Sequence, residues 1–141
     1  MERDFRGFIE GKGWAHSVAH LSDALYASAA HPQVPAGHLF RILGVTGTLS
    51  KLDTPLSSGE CERLAHASSK AIEGLNDPEA VMGWIGAYEF PEDGKRSPYA
   101  RYNSSNFLRS LYFDLKWEKS DPRFLDIIEA KARQLDPLHR E

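Results

Sequence analysis

His16, His20 and Asp23 are residue types able to bind a divalent cation, and they recur at helical spacing near the start of the chain. Residues four and three apart on a regular helix lie one above another, so the three project from one face, about 200° around from Trp14. Two imidazoles one turn apart and a carboxylate supply three ligands to zinc or another divalent metal, leaving positions for water or substrate. Such a centre polarises a substrate or activates water, which points to a metal-dependent hydrolase-like or small-ligand site, with Glu10 or Glu60 as candidate base. The spacing is shared by many helices, and Ser17 stands where the catalytic glutamate of the metalloprotease sequence follows its first histidine.

The plainer alternative is that both imidazoles are partly buried polar groups bonded to neighbouring helices, with Asp23 solvated or ion-paired. Against it, these three are the only side chains between Trp14 and Ala30 that carry charge or titrate near neutrality, whereas an ordinary exposed face carries Lys or Glu. That contrast places them in a groove or pocket, where metal affinity depends on pH. Glu60 and Glu62 could face the stripe from another helix, although their position at a helix start is already explained by capping and the helix dipole. Cys61 has no activating base beside it and reads as a buried structural thiol. His31, His38, His66 and His139 share no spacing. Gly11-Lys12-Gly13 is too short for a phosphate loop. Tyr88, Tyr99, Tyr102, Tyr112, Trp84 and Trp117 lack interleaved basic residues and read as core and groove aromatics, not as a stacking platform for bases.

The elements that must hold the stripe are all helical. Residues 14–30 lack Pro and Gly, and Trp14, Val18, Leu21 and Leu25 recur at helical spacing. A second helix restarts after Val34-Pro35 with Leu39, Ile42, Leu43 and Leu49 toward a core. Ser57 and Glu60 have the spacing of a capping box, opening a third helix with Cys61, Leu64, Ala65, Ser68, Ala71, Ile72 and Leu75 on one stripe. Asp77-Pro78 caps a fourth through Val81, Met82, Trp84 and Ile85, and Asp121-Pro122 caps a sixth with Phe124, Leu125, Ile127, Ile128 and Leu135 inward. The fifth runs from Tyr99 to Trp117, with Asn103-Ser104-Ser105-Asn106 as a potential interruption of its first turns. Residues 91–98 form a polar, breaker-rich loop. Residues 1–13 are a lead-in whose charges read as surface ion pairs and whose Gly7, Gly11 and Gly13 let it fold back over the first helix.

The reading is all-α: about six helices in three stacked antiparallel hairpins, 14–50, 58–89 and 99–136, within a single domain of 1–141. Hairpin starts recur at about 42 residues, the period of a HEAT-like superhelix fragment, with an irregular helical bundle as the alternative. At 141 residues, 41% hydrophobic and 26% charged, the composition is that of a folded globular protein. A formal charge of −3, with acidic and basic residues mixed, provides no basic stripe for nucleic acid. No apolar run approaches the roughly 20 residues that span a bilayer. A start without secretory features and a lone cysteine favour the cytoplasm.

The run Arg3-Asp4-Phe5-Arg6-Gly7-Phe8-Ile9-Glu10-Gly11-Lys12-Gly13-Trp14-Ala15-His16-Ser17-Val18-Ala19-His20, continuing to Asp23, resembles the central signature of the bacterial domain of unknown function 2785 family. Glu60-Cys61-Glu62-Arg63-Leu64-Ala65 is similar to its second, weaker motif, and the two cover about a fifth of the chain. The resemblance implies a helical protein, marks His16, His20 and Asp23 as matching positions, and brings no activity. It also implies that this chain corresponds to the later half of such a protein, with an apolar surface that would pack against missing N-terminal helices or support self-association.

Stacked hairpins build concave surfaces without special chemistry, so the leading expectation is a noncatalytic protein- or peptide-binding module. The competing one is the metal site on His16, His20 and Asp23.

Overall fold

The computed structural model describes residues 8–90, 98–136 and 138. Its element order is β1 (Phe8–Ile9), β2 (Gly13–Trp14), α1 (Ser17–Ala29), α2 (Ala36–Leu49), α3 (Glu60–Leu75), α4 (Pro78–Gly86), α5 (Pro98–Trp117) and α6 (Pro122–Leu135). The protein is all-α, with helices packed on helices, and the strands form only a two-residue antiparallel ribbon pairing Phe8 with Trp14 and Ile9 with Gly13. The ribbon needs glycine both in its turn and at the start of β2, since Gly11 and Gly13 sit at φ +74° and +88°, where a side chain is strained.

The ribbon corrects the first helix. Trp14 belongs to β2, and α1 begins only at Ser17 after His16, which takes a left-handed φ of 44° as its N-cap. The core face of α1 is then Val18, Ala19, Ser22 and Ala29, with Leu25 packed against it, while Leu21 is turned outward. The side chain of Trp14 and the loop at 91–97 lie outside the described residues. The third helix also opens differently: Gly59, not Ser57, is its N-cap, and Glu60 at the first helical position reaches back so that its Oε2 accepts from the Ser58 amide at 2.7 Å. The reciprocal capping box of Ser57 and Glu60 is therefore not formed, because the N-cap glycine has no side chain to accept from the helix, and only the carboxylate half of the device remains. The predicted stripe of α3 is buried in full.

Asp77 and Asp121 do cap their helices, accepting from the amides of Ala80 at 3.1 Å and Arg123 at 2.9 Å, each followed by proline at the first helical position. Asp77→Ala is expected to lower stability by about 1 kcal/mol, read as a lower urea midpoint with unchanged slope.

The polar run at 103–106 does not interrupt α5. Asn103 and Ser104 are buried, and Asn103 donates to the carbonyls of Leu52 at 3.0 Å and Thr54 at 2.8 Å while accepting from the Leu56 amide at 3.1 Å. The loop between α2 and α3 is thereby tied to α5. Beside it, the Ser50 and Tyr88 hydroxyls share a 2.7 Å hydrogen bond, and burial pushes the Tyr88 phenol up to about 12.

Contacts between odd-numbered helices advance together along the sequence. Asp23 meets Arg63 and Tyr26 meets His66; Cys61 meets Asn103, His66 meets Asp114 and Ser69 meets Glu118. Partners that climb in step mean that α1, α3 and α5 run parallel, as antiparallel hairpins require of every second helix. α3 lies between α1 and α5 and also packs on α2, while α6 packs on α5 and α4. One cluster of buried side chains, including Val18, Leu43, Leu64, Ile85, Phe107 and Ile128, draws on all of these helices.

Candidate functional site

The surface of the odd-numbered row holds a groove of about 570 Å³ lined by Asp23 and Tyr26 of α1, Glu62, Arg63 and His66 of α3, and Asp114 of α5. Its construction follows from helical spacing. Asp23 and Tyr26 are three apart on α1, Arg63 and His66 three apart on α3, so each pair shares a face and the parallel helices match them rung for rung. In the first rung the Arg63 guanidinium donates to Asp23 Oδ2 at 2.6 Å. In the second, the rings of Tyr26 and His66 stack at 4.6 Å between centroids and 7° between planes. On its other side His66 Nδ1 stands 3.7 Å from Asp114 Oδ2.

Asp114 is the most sheltered acid of this groove for which an ion pair brings out the contrast: its side chain is 19% exposed, against 54% for Asp23. Burial holds its carboxyl above the usual range, and His66 beside it opposes that shift. Carboxylates outnumber the one permanent cation, Arg63, so the groove is electronegative next to an aromatic wall. Chemically it can receive an ammonium or guanidinium group, by charge-assisted hydrogen bonds to oxygen and by contact with aromatic faces.

The late start of α1 takes His16 off the helix, while His20 and Asp23 remain three apart on it. His16 precedes the helix; its Nδ1 is 3.6 Å from Oε1 of Glu60, a carboxylate only 3% exposed, and its ring meets that of His20 edge-on at 6.4 Å. Asp23 is engaged by Arg63 instead. Among the described residues no group of three His, Cys, Asp or Glu is arranged to hold a metal ion. Glu10 is exposed in the ribbon turn, whereas Glu60 does face His16 across the α1–α3 contact. Cys61 is buried, with its thiol pushed up to about 12 first by burial and then by Glu62 and Glu60, which suits a structural thiol.

Tyr26, Arg63, His66 and Asp114 were not legible as a site from sequence. A signal was present at Asp114, the one acid in α5, a helix otherwise of apolar, small, polar and basic residues. The same contrast had drawn attention to the first helix.

No curated protein and no solved structure matches this chain. A family model does, across residues 1–113, which takes in both motifs, all of α1 to α4 and most of α5. The chain belongs to the family described as a protein of unknown function, DUF2785.

Proposed function

We propose that this protein is a noncatalytic binding module whose groove between α1, α3 and α5 receives an arginine- or lysine-bearing segment of a protein or peptide. The observation that carries the reading is the electronegative groove itself, with Asp114 sheltered beside the stacked Tyr26–His66 pair. A guanidinium between Glu62 and Asp114 would meet two carboxylates and an aromatic face, the combination that recognises cationic side chains. The same carboxylates disfavour phosphate, which argues against nucleic acid as the occupant of this groove. No helix among the described residues is long and apolar enough to cross a membrane. A single domain, a HEAT-like stack of its hairpins and a cytoplasmic setting belong to this reading; the parallel odd-numbered helices support the stack, and a lone, buried cysteine suits that compartment.

The test is a titration of isotope-labelled protein with a capped five-residue peptide holding one central arginine, followed by amide shifts. Saturable shifts concentrated at residues 23, 26, 62, 63, 66 and 114 are expected. Shifts elsewhere, or none at millimolar peptide, would contradict the assignment.

A second reading, a divalent-metal or hydrolytic site on His16, His20 and Asp23 with Glu10 or Glu60 as base, is favoured by the approach of His16 to Glu60 and His20. It requires Asp23 to leave Arg63. Stoichiometric zinc in the purified protein, lost in His16→Ala/His20→Ala without unfolding, would establish it. The peptide-binding account expects less than a tenth of an equivalent of zinc after dialysis.

A further inference from the structure

Histidine is the side chain that takes up its proton within the range of cellular pH, and His66 is the only one among the described residues lining the groove between α1, α3 and α5. Two neighbours fix where that proton would act. Toward α1, the ring lies flat against Tyr26, 7° between planes and 4.6 Å between centroids, and cannot turn without giving up the stack. Toward α5, its Nδ1 stands 3.7 Å from Asp114 Oδ2. The His66 side chain is 56% exposed and that of Asp114 only 19%, so the imidazole exchanges protons with solvent on one side and addresses a sheltered carboxylate on the other.

The other cations of α3 nearby already hold acids. Arg63, one turn before His66, donates to Asp23 of α1 at 2.6 Å, and Lys70, one turn after, donates to Glu73 at 2.7 Å. Glu62 adds a carboxylate on α3, and Glu118, one turn past Asp114 on α5, accepts from the Ser69 hydroxyl at 2.7 Å. α2, the third helix packed on α3, supplies none of the described lining of the groove. A neutral His66 therefore leaves the Asp114 oxygens to an incoming guanidinium. A protonated His66 sets a positive charge 3.7 Å from one of them, and that charge both occupies the carboxylate and repels the ligand. Tyr26 holds the charged ring in place, because a cation over a phenol face is attracted to it. The two groups do feel each other: burial raises the Asp114 carboxyl, and charge on His66 lowers it. Two cations that compete for one carboxylate are linked reciprocally, each weakening the binding of the other by the same factor.

We infer that a proton on His66 and a cationic side chain at Asp114 displace each other, so that the groove releases its basic segment as the solution turns from mildly alkaline to mildly acidic. The inference rests on the reading of this groove as a cationic-peptide site and adds its regulation.

Isothermal titration calorimetry of the full chain with the capped arginine peptide tests it, at constant ionic strength and with circular dichroism to confirm folding at each pH. The wild type is expected to bind about tenfold more weakly at about pH 5.5 than at about pH 8, the effect of one competing proton across the usual range of an imidazole. Repeating the titration at about pH 6.5 in two buffers of different ionisation enthalpy is expected to show a net release of protons on binding. His66→Phe keeps a ring on Tyr26 at a half-exposed position and carries no proton; its affinity is expected to vary less than about twofold over the same range. His66→Lys, with a permanent charge, is expected to bind at about pH 8 as weakly as the wild type does in acid. A wild-type affinity that ignores pH, binding without proton release, or a fall that persists in His66→Phe and so belongs to Asp114 itself, would overturn the inference and leave the peptide site standing. A wild type that does not bind the peptide even at the alkaline end would overturn both.

Discussion

Asn103→Leu is expected to destabilise the protein by about 3–5 kcal/mol, a large share of the 5–15 kcal/mol typical of a domain this size. Asn103 is wholly buried, and its amide serves three backbone groups of the segment between α2 and α3. Leucine keeps the branching at Cγ, though it is bulkier, and has neither donor nor acceptor, so the Leu52 and Thr54 carbonyls and the Leu56 amide lose their partner inside the protein. An unsatisfied buried group costs about 1–3 kcal/mol; the two carbonyls belong to half-buried residues that water can partly reach, which keeps the total below the sum of three full penalties. Asn103→Asp tests the mechanism separately, since it keeps the acceptor toward Leu56 and loses both donors. Urea unfolding measures both. A leucine variant within 1 kcal/mol of wild type would show that the clamp is dispensable.

Asp114→Asn should separate binding from stability. The carboxylate is held above its usual range by burial, so the folded protein binds its proton more tightly than the unfolded chain does. For an acid shifted upward the sign is unfavourable to folding: the destabilisation is absent below the ordinary aspartate value of about 4, grows as pH rises through the shifted value and is complete above it. Asparagine removes the charge and with it this penalty. The variant is therefore expected to melt at or above the wild-type temperature near neutral pH, with any gain disappearing as pH falls below about 4. Its affinity for an arginine peptide should fall about tenfold or more, since a hydrogen bond to a charged group contributes roughly 1.5–3 kcal/mol. Loss of binding without loss of stability is the signature of a residue kept for its ligand. A variant that binds normally, or one that unfolds at neutral pH, would contradict that role.

Most of the architecture could be read from the chain because its punctuation is chemically explicit. Asp77-Pro78 and Asp121-Pro122 each supply a cap and a residue suited to the first helical turn, and the α3 stripe from Cys61 to Leu75 has an unbroken helical period. The errors cluster where a local rule was overruled by contacts distant in sequence. Asn103 and Ser104 look like helix breakers locally, but their polar groups are consumed by the 50–56 segment, some fifty residues away. The two-residue ribbon at Phe8–Ile9 and Gly13–Trp14 is too short for any alternation to announce it, yet it sets α1 back to Ser17 and takes His16 off the helical stripe.

The candidate groove was hidden for a related reason. A stripe on one helix is visible in its own sequence, but the Tyr26–His66 stack and the His66–Asp114 approach join helices 40 and 48 residues apart. Recognising them required knowing that α1, α3 and α5 run parallel and in what register. The hairpin period of about 42 residues indicated the spacing without fixing which rungs meet.

On the function proposed, the groove between α1, α3 and α5 recognises a positive charge. The most direct measurement compares two fluorescein-labelled peptides identical except that one carries arginine and the other citrulline, which keeps the shape and loses the charge. Fluorescence anisotropy at physiological salt is expected to give at least a tenfold tighter Kd for the arginine peptide, with the difference abolished in Glu62→Gln/Asp114→Asn. Equal affinities for the two peptides, or a preference that survives in the double variant, would contradict the account.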